Sequence, residues 1–279
     1  MPVTIRGRTR KAVVVRATQP NAGVRVWYQK QLEAIIGEMH LDISLQLSLA
    51  FAETPPDGIT HDARKRSPQA NIDRTLKDWS KKWTLKLDKM SLDISKKFAG
   101  KSFTMSQATF AKNLADAGFT IKFQPTQKAL NAYKGEIAEN VNLIKAVADQ
   151  YKTNVQSAVW NSVRVGGKMS DLSKSLHKEY GVSVNRAALI ARDQNAKATA
   201  TIDKVRRLQL GLTQARWQHS SAGKEPRPTH VEFDGVLFEI ETGMWDPDAD
   251  GKGKGRFVQP GQLINCRCTS SAIIPGFED

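Results

Sequence analysis

Cysteine is nearly absent: the 279 residues contain two, Cys266 and Cys268, with one residue between them. Side chains at i and i+2 rarely reach disulfide geometry, so no disulfide framework is expected and synthesis in a reducing compartment fits. No window approaches 18 uncharged apolar residues and the N-terminus lacks an apolar signal core, which argues against a membrane span or a secretory leader. Internal repeats are missing, as are a GxSxG elbow, an HExxH helix and the kinase motifs. Acidic residues are missing from positions 1–32, where Arg6, Arg8, Arg10, Lys11, Arg16, Arg25 and Lys30 stand.

With 40% hydrophobic and 25% charged residues, the composition is that of a folded globular chain. Its 42 Lys and Arg against 28 Asp and Glu give a net charge of +14, and the first 32 residues hold half of that excess. A basic arm over 1–22 follows, read as a solvated tail, as a phosphate-contacting arm on double-stranded DNA without base readout, or as a contact for an acidic protein surface. The DNA reading rests on Arg6, Arg8, Arg10, Lys11 and Arg16.

Residues 23–165 read as a helical region. A first helix is expected from about Val24 to Ala52, then a proline-rich loop over 54–70. Ile72, Leu76, Trp79, Trp83, Leu87, Met90, Ile94 and Phe98 form a sharp helical stripe that Gly100 is expected to stop, with a separate short helix from Ser106 to Ala117. Phe119 to Phe123 reads as a brief strand or linker. A second stripe runs through Leu130, Tyr133, Ile137, Val141, Ile144, Ala148, Tyr151, Val155 and Val159, and two such helices would pack antiparallel.

The texture changes at Gly166-Gly167. Ser170 is expected to N-cap a short helix ending at Gly181, and another helix runs from Asn185 to Leu210 and stops at Gly211. Alternating runs at Gln214–His219, His230–Phe233, Val236–Ile240 and Cys268–Ile274 predict a small antiparallel sheet. The fold class expected is α+β: a mainly helical N-terminal region followed by a small C-terminal α+β domain over 166–279.

Chemistry concentrates in that C-terminal region. His219, His230, Cys266 and Cys268 offer the ligand types of a tetrahedral zinc site, with both cysteines on one side of a strand; buried thiols and hydrogen-bonded histidines are the alternative. His230-Val231-Glu232 matches the HxE half of a zinc deaminase signature, but Cys266-Arg267-Cys268 is not its CxxC half. A zinc-dependent hydrolase or deaminase built on His230, Glu232, Cys266 and Cys268 is therefore the enzymatic rival. Asp246, Asp248, Asp250 and Gly251 resemble the opening of a calcium loop, although Phe257 stands where its closing glutamate belongs. The Gly251–Arg256 run fits no nucleotide fingerprint and reads as flexibility.

The run Tyr180-Gly181-Val182-Ser183, Arg186-Ala187 and Ile190-Ala191-Arg192 leads into Trp217, Arg227-Pro228-Thr229-His230, Asp234-Gly235, Phe238, Pro260-Gly261 and Asn265-Cys266-Arg267-Cys268. In order and spacing these resemble the phage Mu F-like head morphogenesis family, the minor head proteins of tailed bacteriophages, over roughly residues 165–275. Lys224-Glu225-Pro226 stands where many members carry an acidic residue, and His219 lies outside the motif. The resemblance implies a non-enzymatic minor capsid protein in head morphogenesis and virion assembly. It would be made in the host cytoplasm and sit in the capsid interior or near the portal, with portal or major capsid protein as partner and a part in DNA packaging or ejection. Arg227 and Arg267 would then give charge-assisted hydrogen bonds across the sheet, and His230 and the cysteines would pin the tail. Mu F-like regions also precede toxin effector domains; only about ten residues follow Cys268, so no effector is expected.

Overall fold

A computed structural model describes residues 4–5, 12–53, 68–124, 126–221 and 225–276. The chain is α+β, mainly helical first and with antiparallel strands towards its C-terminus. Strands β1 (Thr4–Ile5) and β2 (Val13–Val15) precede helices α1 (Ala22–Glu53) and α2 (Pro68–Asp116); β3 (Phe119–Thr120) leads to α3 (Gln127–Arg164) and α4 (Met169–Gln209). Then follow β4 (Gln214–Gln218), α5 (Pro228–Glu232), β5 (Leu237–Glu239), β6 (Met244–Asp246), β7 (Arg256–Val258) and β8 (Thr269–Ile274). Two compact units result, each discontinuous in sequence: a helical unit of Trp27–Ser95 and Glu139–Ile190, and a sheet unit of Met1–Val26, Lys96–Ala138 and Ala191–Asp279. Gly166-Gly167, where the sequence changes texture, is the turn between α3 and α4 and lies inside the helical unit.

In the helical unit the expected α2 stripe is the core: Ile72, Leu76, Trp79, Trp83, Leu87 and Ile94 are buried. Against them α1 buries Tyr28, Leu32, Ile35, Ile36, Met39, Ile43 and Leu47. The polar rim shows that α1 and α2 run antiparallel, since Glu38 pairs with Lys86, Asp42 with Lys82, and Glu53 accepts from Asn71. Helix α3 joins through Trp79 edge-on to Tyr151 and Lys145 on Asp88, and α4 through His40 stacked on Tyr180. The α3 stripe holds from Ile144 through Ala148, Tyr151, Val155 and Val159. It fails earlier: Leu130 is exposed, and Ala129, Glu136 and Asn140 are the buried positions.

Neither Gly100 nor Gly181 ends a helix; α2 runs on to Asp116 and α4 is continuous from Met169, with Ser170 inside it rather than capping it. A glycine stops a helix by taking positive φ, as Gly118 (93°) and Gly211 (76°) do, whereas Gly100 and Gly181 keep negative φ. An interior glycine costs about 1 kcal/mol, and truncating one buried tryptophan costs roughly 3–5 kcal/mol. Buried Phe98, Phe110 and Leu114 flank Gly100, and buried Leu176 and Ala187 flank Gly181, so packing outweighs the local penalty. At Gly211 the amide of Leu212 reaches Arg207 O (3.0 Å) and that of Gly211 reaches Leu208 O (3.1 Å), a Schellman closure that buries Leu212.

The sheet unit is built on a four-stranded antiparallel sheet of order β2-β8-β4-β5. Val13-Val14-Val15 pairs with Ile274-Ile273-Ala272, so this part of the arm is an edge strand and not a solvated tail. Arg16 beyond it is exposed, while Asn113 bonds the carbonyl of Arg16. Arg6, Arg8, Arg10 and Lys11 lie outside the described residues, as do residues 54–67 of the loop expected over 54–70; its last three residues are not loop but the start of α2, where Pro68 suits a first helical turn. The core joins Val15, Phe110, Leu114, Phe119, Trp217, Phe233, Phe238, Cys266, Cys268 and Ala272.

Candidate functional site

The alternating run at His230 does not form a strand. Pro228 at the start of α5 presets helical φ and lacks the amide that a first turn leaves unbonded, and Phe233 N closes the turn on Thr229 O at 3.0 Å. His230 therefore points inward, 2% exposed, while Glu232 two residues on is exposed. The shared face that a deaminase-like reading needs is absent. The cysteines also precede the strand, since β8 begins at Thr269. They converge on His230 nonetheless.

His230 Nδ1 lies 3.4 Å from Cys266 Sγ and 3.7 Å from Cys268 Sγ, and the three ligand atoms fall within 4.8 Å of one another. The opposite ring nitrogen, Nε2, is 3.3 Å from Asp246 Oδ2, a fully buried carboxylate on β6. The contact lacks hydrogen-bond geometry, and neither of those two atoms has a hydrogen-bond partner among the described residues. Trp217 meets the imidazole edge-on at 5.1 Å and Phe233 stacks on it at 5.8 Å, which fixes the ring plane. Cys266 hydrogen-bonds Cys268, and this bond raises the Cys266 thiol and lowers that of Cys268, which His230 lowers further.

The turn carrying the cysteines is shaped by its own sequence. Gly261 has φ of 79°, and a Cβ there would stand 3.3 Å from Cys268 O and 3.4 Å from Ala196 O. Asn265 also sits in the left-handed region, at 62°, where asparagine is among the most tolerant non-glycine residues. Its amide donates to Asp193 Oδ1 (3.2 Å) and its side chain accepts from Arg192 (2.5 Å). Burial raises the Asp193 carboxyl, opposed by that amide and by Arg192. Arg227 donates to Ile264 O at 3.0 Å, so it braces this turn and does not bridge the sheet. Arg267 is exposed. Gly235 turns the chain from α5 to β5 with φ of 77°, and its amide bonds Trp217 O. Pro260 is buried beside Gly261.

Of the expected ligands, His230, Cys266 and Cys268 come together. His219 is half-buried on the wall of a cavity of about 240 Å³ that these three also line, with Glu225, Arg227 and Arg267. The expected calcium set does not assemble. Asp246 faces His230, Asp248 Oδ1 accepts from Gly253 N (2.7 Å), and Asp250 Oδ1 accepts from the amides of Lys252 (2.8 Å) and Lys254 (2.9 Å). Backbone amides thus occupy one oxygen of each of the Asp248 and Asp250 carboxylates, and the same bonds order a loop expected to be flexible. Those amides, with Arg256 nearby, hold the exposed Asp250 carboxyl below the usual range.

Sequence reasoning passed over one further cluster. Arg207 and Asp203, one helical turn apart on α4, are both buried and paired at 3.0 Å. Arg207 also donates to Ser270 Oγ and Ser270 O, each at 2.7 Å, which fastens α4 to β8. In sequence the pair looks like an ordinary i,i+4 surface bridge, and nothing marks it as buried.

Residues 153–271 match the family described as Phage Mu protein F like protein. An uncharacterized protein of Haemophilus influenzae is 24% identical over all of this chain, which spans 59% of that protein. An NAD(+)--arginine ADP-ribosyltransferase EFV of Enterococcus faecalis is 22% identical over 53% of this chain and 28% of its own length. The chain therefore spans less than two thirds of either relative. No solved structure matches.

Proposed function

We propose that the chain, whose residues 153–271 match Phage Mu protein F like protein, is a minor head protein acting in capsid assembly. In this reading it resides in the virion, in the capsid interior or near the portal. Its partner is the portal protein, the major capsid protein or both. The family match carries the proposal, and two features of the chain support it.

The first is an exposed apolar row on α1, where Leu41, Leu45 and Leu49 follow at four-residue spacing and are 70%, 62% and 57% exposed. Such a row favours contact with a protein neighbour. The second is the charge: at +14, with Arg16 exposed at the end of β2 and six more basic residues in the first 32, the chain can neutralise DNA phosphates without reading bases. No helix among the described residues is long and apolar enough to cross a membrane. We read the chain as a structural component and not an enzyme: Glu232 is exposed while His230 is buried, so the two do not share the face that the deaminase-like reading needs. The ADP-ribosyltransferase relative shares only 28% of its length with the chain, so its name describes a protein that lies mostly outside the match.

The test is quantitative mass spectrometry of purified heads, full and after DNA release, counting this chain against portal and major capsid protein. A few to a few tens of copies per full head is the expected result, and their loss on emptying would mark ejection with the DNA. Absence from heads, with the protein abundant in infected cells, would overturn residence in the virion.

A further inference from the structure

Three groups with one ligand chemistry meet beneath the wall of the sheet unit's cavity, and a hydrogen-bonded thiol pair alone leaves their arrangement unexplained. We propose that His230 Nδ1, Cys266 Sγ and Cys268 Sγ bind a zinc ion that fastens α5 to the turn before β8. The inference rests on this geometry and is independent of residence in a phage head.

Distances come first. Tetrahedral zinc with bonds of about 2.3 Å to sulfur and about 2.0–2.1 Å to nitrogen holds a sulfur and a nitrogen ligand roughly 3.6 Å apart. The observed separations from Nδ1 are 3.4 and 3.7 Å. The far side of the imidazole points the same way. A ligating histidine almost always gives its other N–H to a carboxylate or carbonyl, which leaves a lone pair on the metal side. Here Nε2 faces Asp246 Oδ2, and that carboxylate is itself anchored by the amide of Asp248 on Oδ1 at 3.1 Å.

Each sulfur also receives a backbone donor, Gly261 N at 3.3 Å for Cys266 and the Ser220 amide for Cys268. Donors of that kind stabilise thiolates more than thiols. Two thiolates balance a divalent cation, so the buried centre carries no net charge from its sulfurs and metal. Calcium and magnesium prefer oxygen ligands, whereas an imidazole with two thiolates suits zinc. The fourth position opens towards the cavity of about 240 Å³, where water or the His219 ring on its wall completes the tetrahedron.

The experiment uses the full chain, purified under reducing conditions, loaded with zinc and dialysed, with metal measured by mass spectrometry. Cobalt(II) replaces zinc in a parallel sample. One zinc per chain is expected, together with a sulfur-to-cobalt charge-transfer absorption and tetrahedral d–d bands. Asp246→Asn should keep the bands and weaken zinc binding about 10–100-fold, the usual effect of removing such a carboxylate. Cys268→Ser should abolish the charge-transfer band or shift it. Because that variant can fail by misfolding, the unaltered chain decides the matter. Substoichiometric zinc without a cobalt–thiolate band, or cysteines that alkylate in the zinc-loaded protein as fast as free thiols, would overturn the proposal.

Discussion

Truncating Arg207 to alanine tests how the sheet unit holds its central strand. The guanidinium is buried and spends its donors on Ser270 Oγ, Ser270 O and Asp203 Oδ2, at 2.7, 2.7 and 3.0 Å. Removing it leaves Asp203 buried without its cation and Ser270 without two donors. Breaking a buried pair from one side costs roughly 3–5 kcal/mol, against a domain total of about 5–15 kcal/mol. Arg207→Ala should therefore lose about a fifth or more of the unit's stability, read by urea unfolding with circular dichroism and by faster exchange of the β8 amides. Burial raises the Asp203 carboxyl, against the pull of Arg207. A carboxyl raised on folding gives stability that is complete below its unfolded value of about 3.9 and is lost as pH climbs through the folded value. Asp203→Asn should flatten that decline. A loss from Arg207→Ala below about 1 kcal/mol, the size of an exposed pair, would refute the claim that the bridge is desolvated.

Two other predictions concern the helices. Asp42 in the helical unit has the opposite sign: burial would raise its carboxyl, but hydrogen bonds from Lys82, Gln46 and Trp83 together hold it below the ordinary range. Its stabilisation is present above the unfolded value and lost as pH falls through the folded one, so Asp42→Asn should reduce acid sensitivity below about pH 4 in a Tm–pH series. Gly100→Ala should stabilise the protein by about 0.5–1 kcal/mol in thermal unfolding, because the position is helical and a Cβ there meets only Tyr133 Oη, at 3.9 Å.

Periodicity made α2 readable from its stripe, because Trp79, Trp83 and Leu87 leave one way to bury that face. Terminators were readable only where the glycine takes positive φ, and nothing local distinguishes Gly211 from Gly100 or Gly181; the difference is what packs around them. Val13-Val14-Val15 carries no strand signal beyond three residues set among basic ones, and its partner lies about 260 positions away in sequence. For His230–Phe233 the alternation suggested a strand, although Pro228 was available as a helix-start signal. The three converging ligands were legible as residue types. Asp246 was legible only as an acid, since its partner, His230, comes from α5, 16 positions earlier.

The pairing of β2 with β8 joins Val13 to Ile274, about 260 residues apart, and so sets the order in which the sheet unit can be completed. Contacts that distant close late and slowly, because the loop entropy is lost before any bond repays it. On the ribosome, β4 must wait without its neighbour β8 until Thr269–Ile274 emerges, with Phe110, Leu114 and Trp217 short of their cover. A fragment cut at residues 153–271 would meet the same difficulty permanently: it lacks β2, Phe110, Leu114 and Phe119, and it ends inside β8. The span recognisable by kinship is thus smaller than the span that can fold.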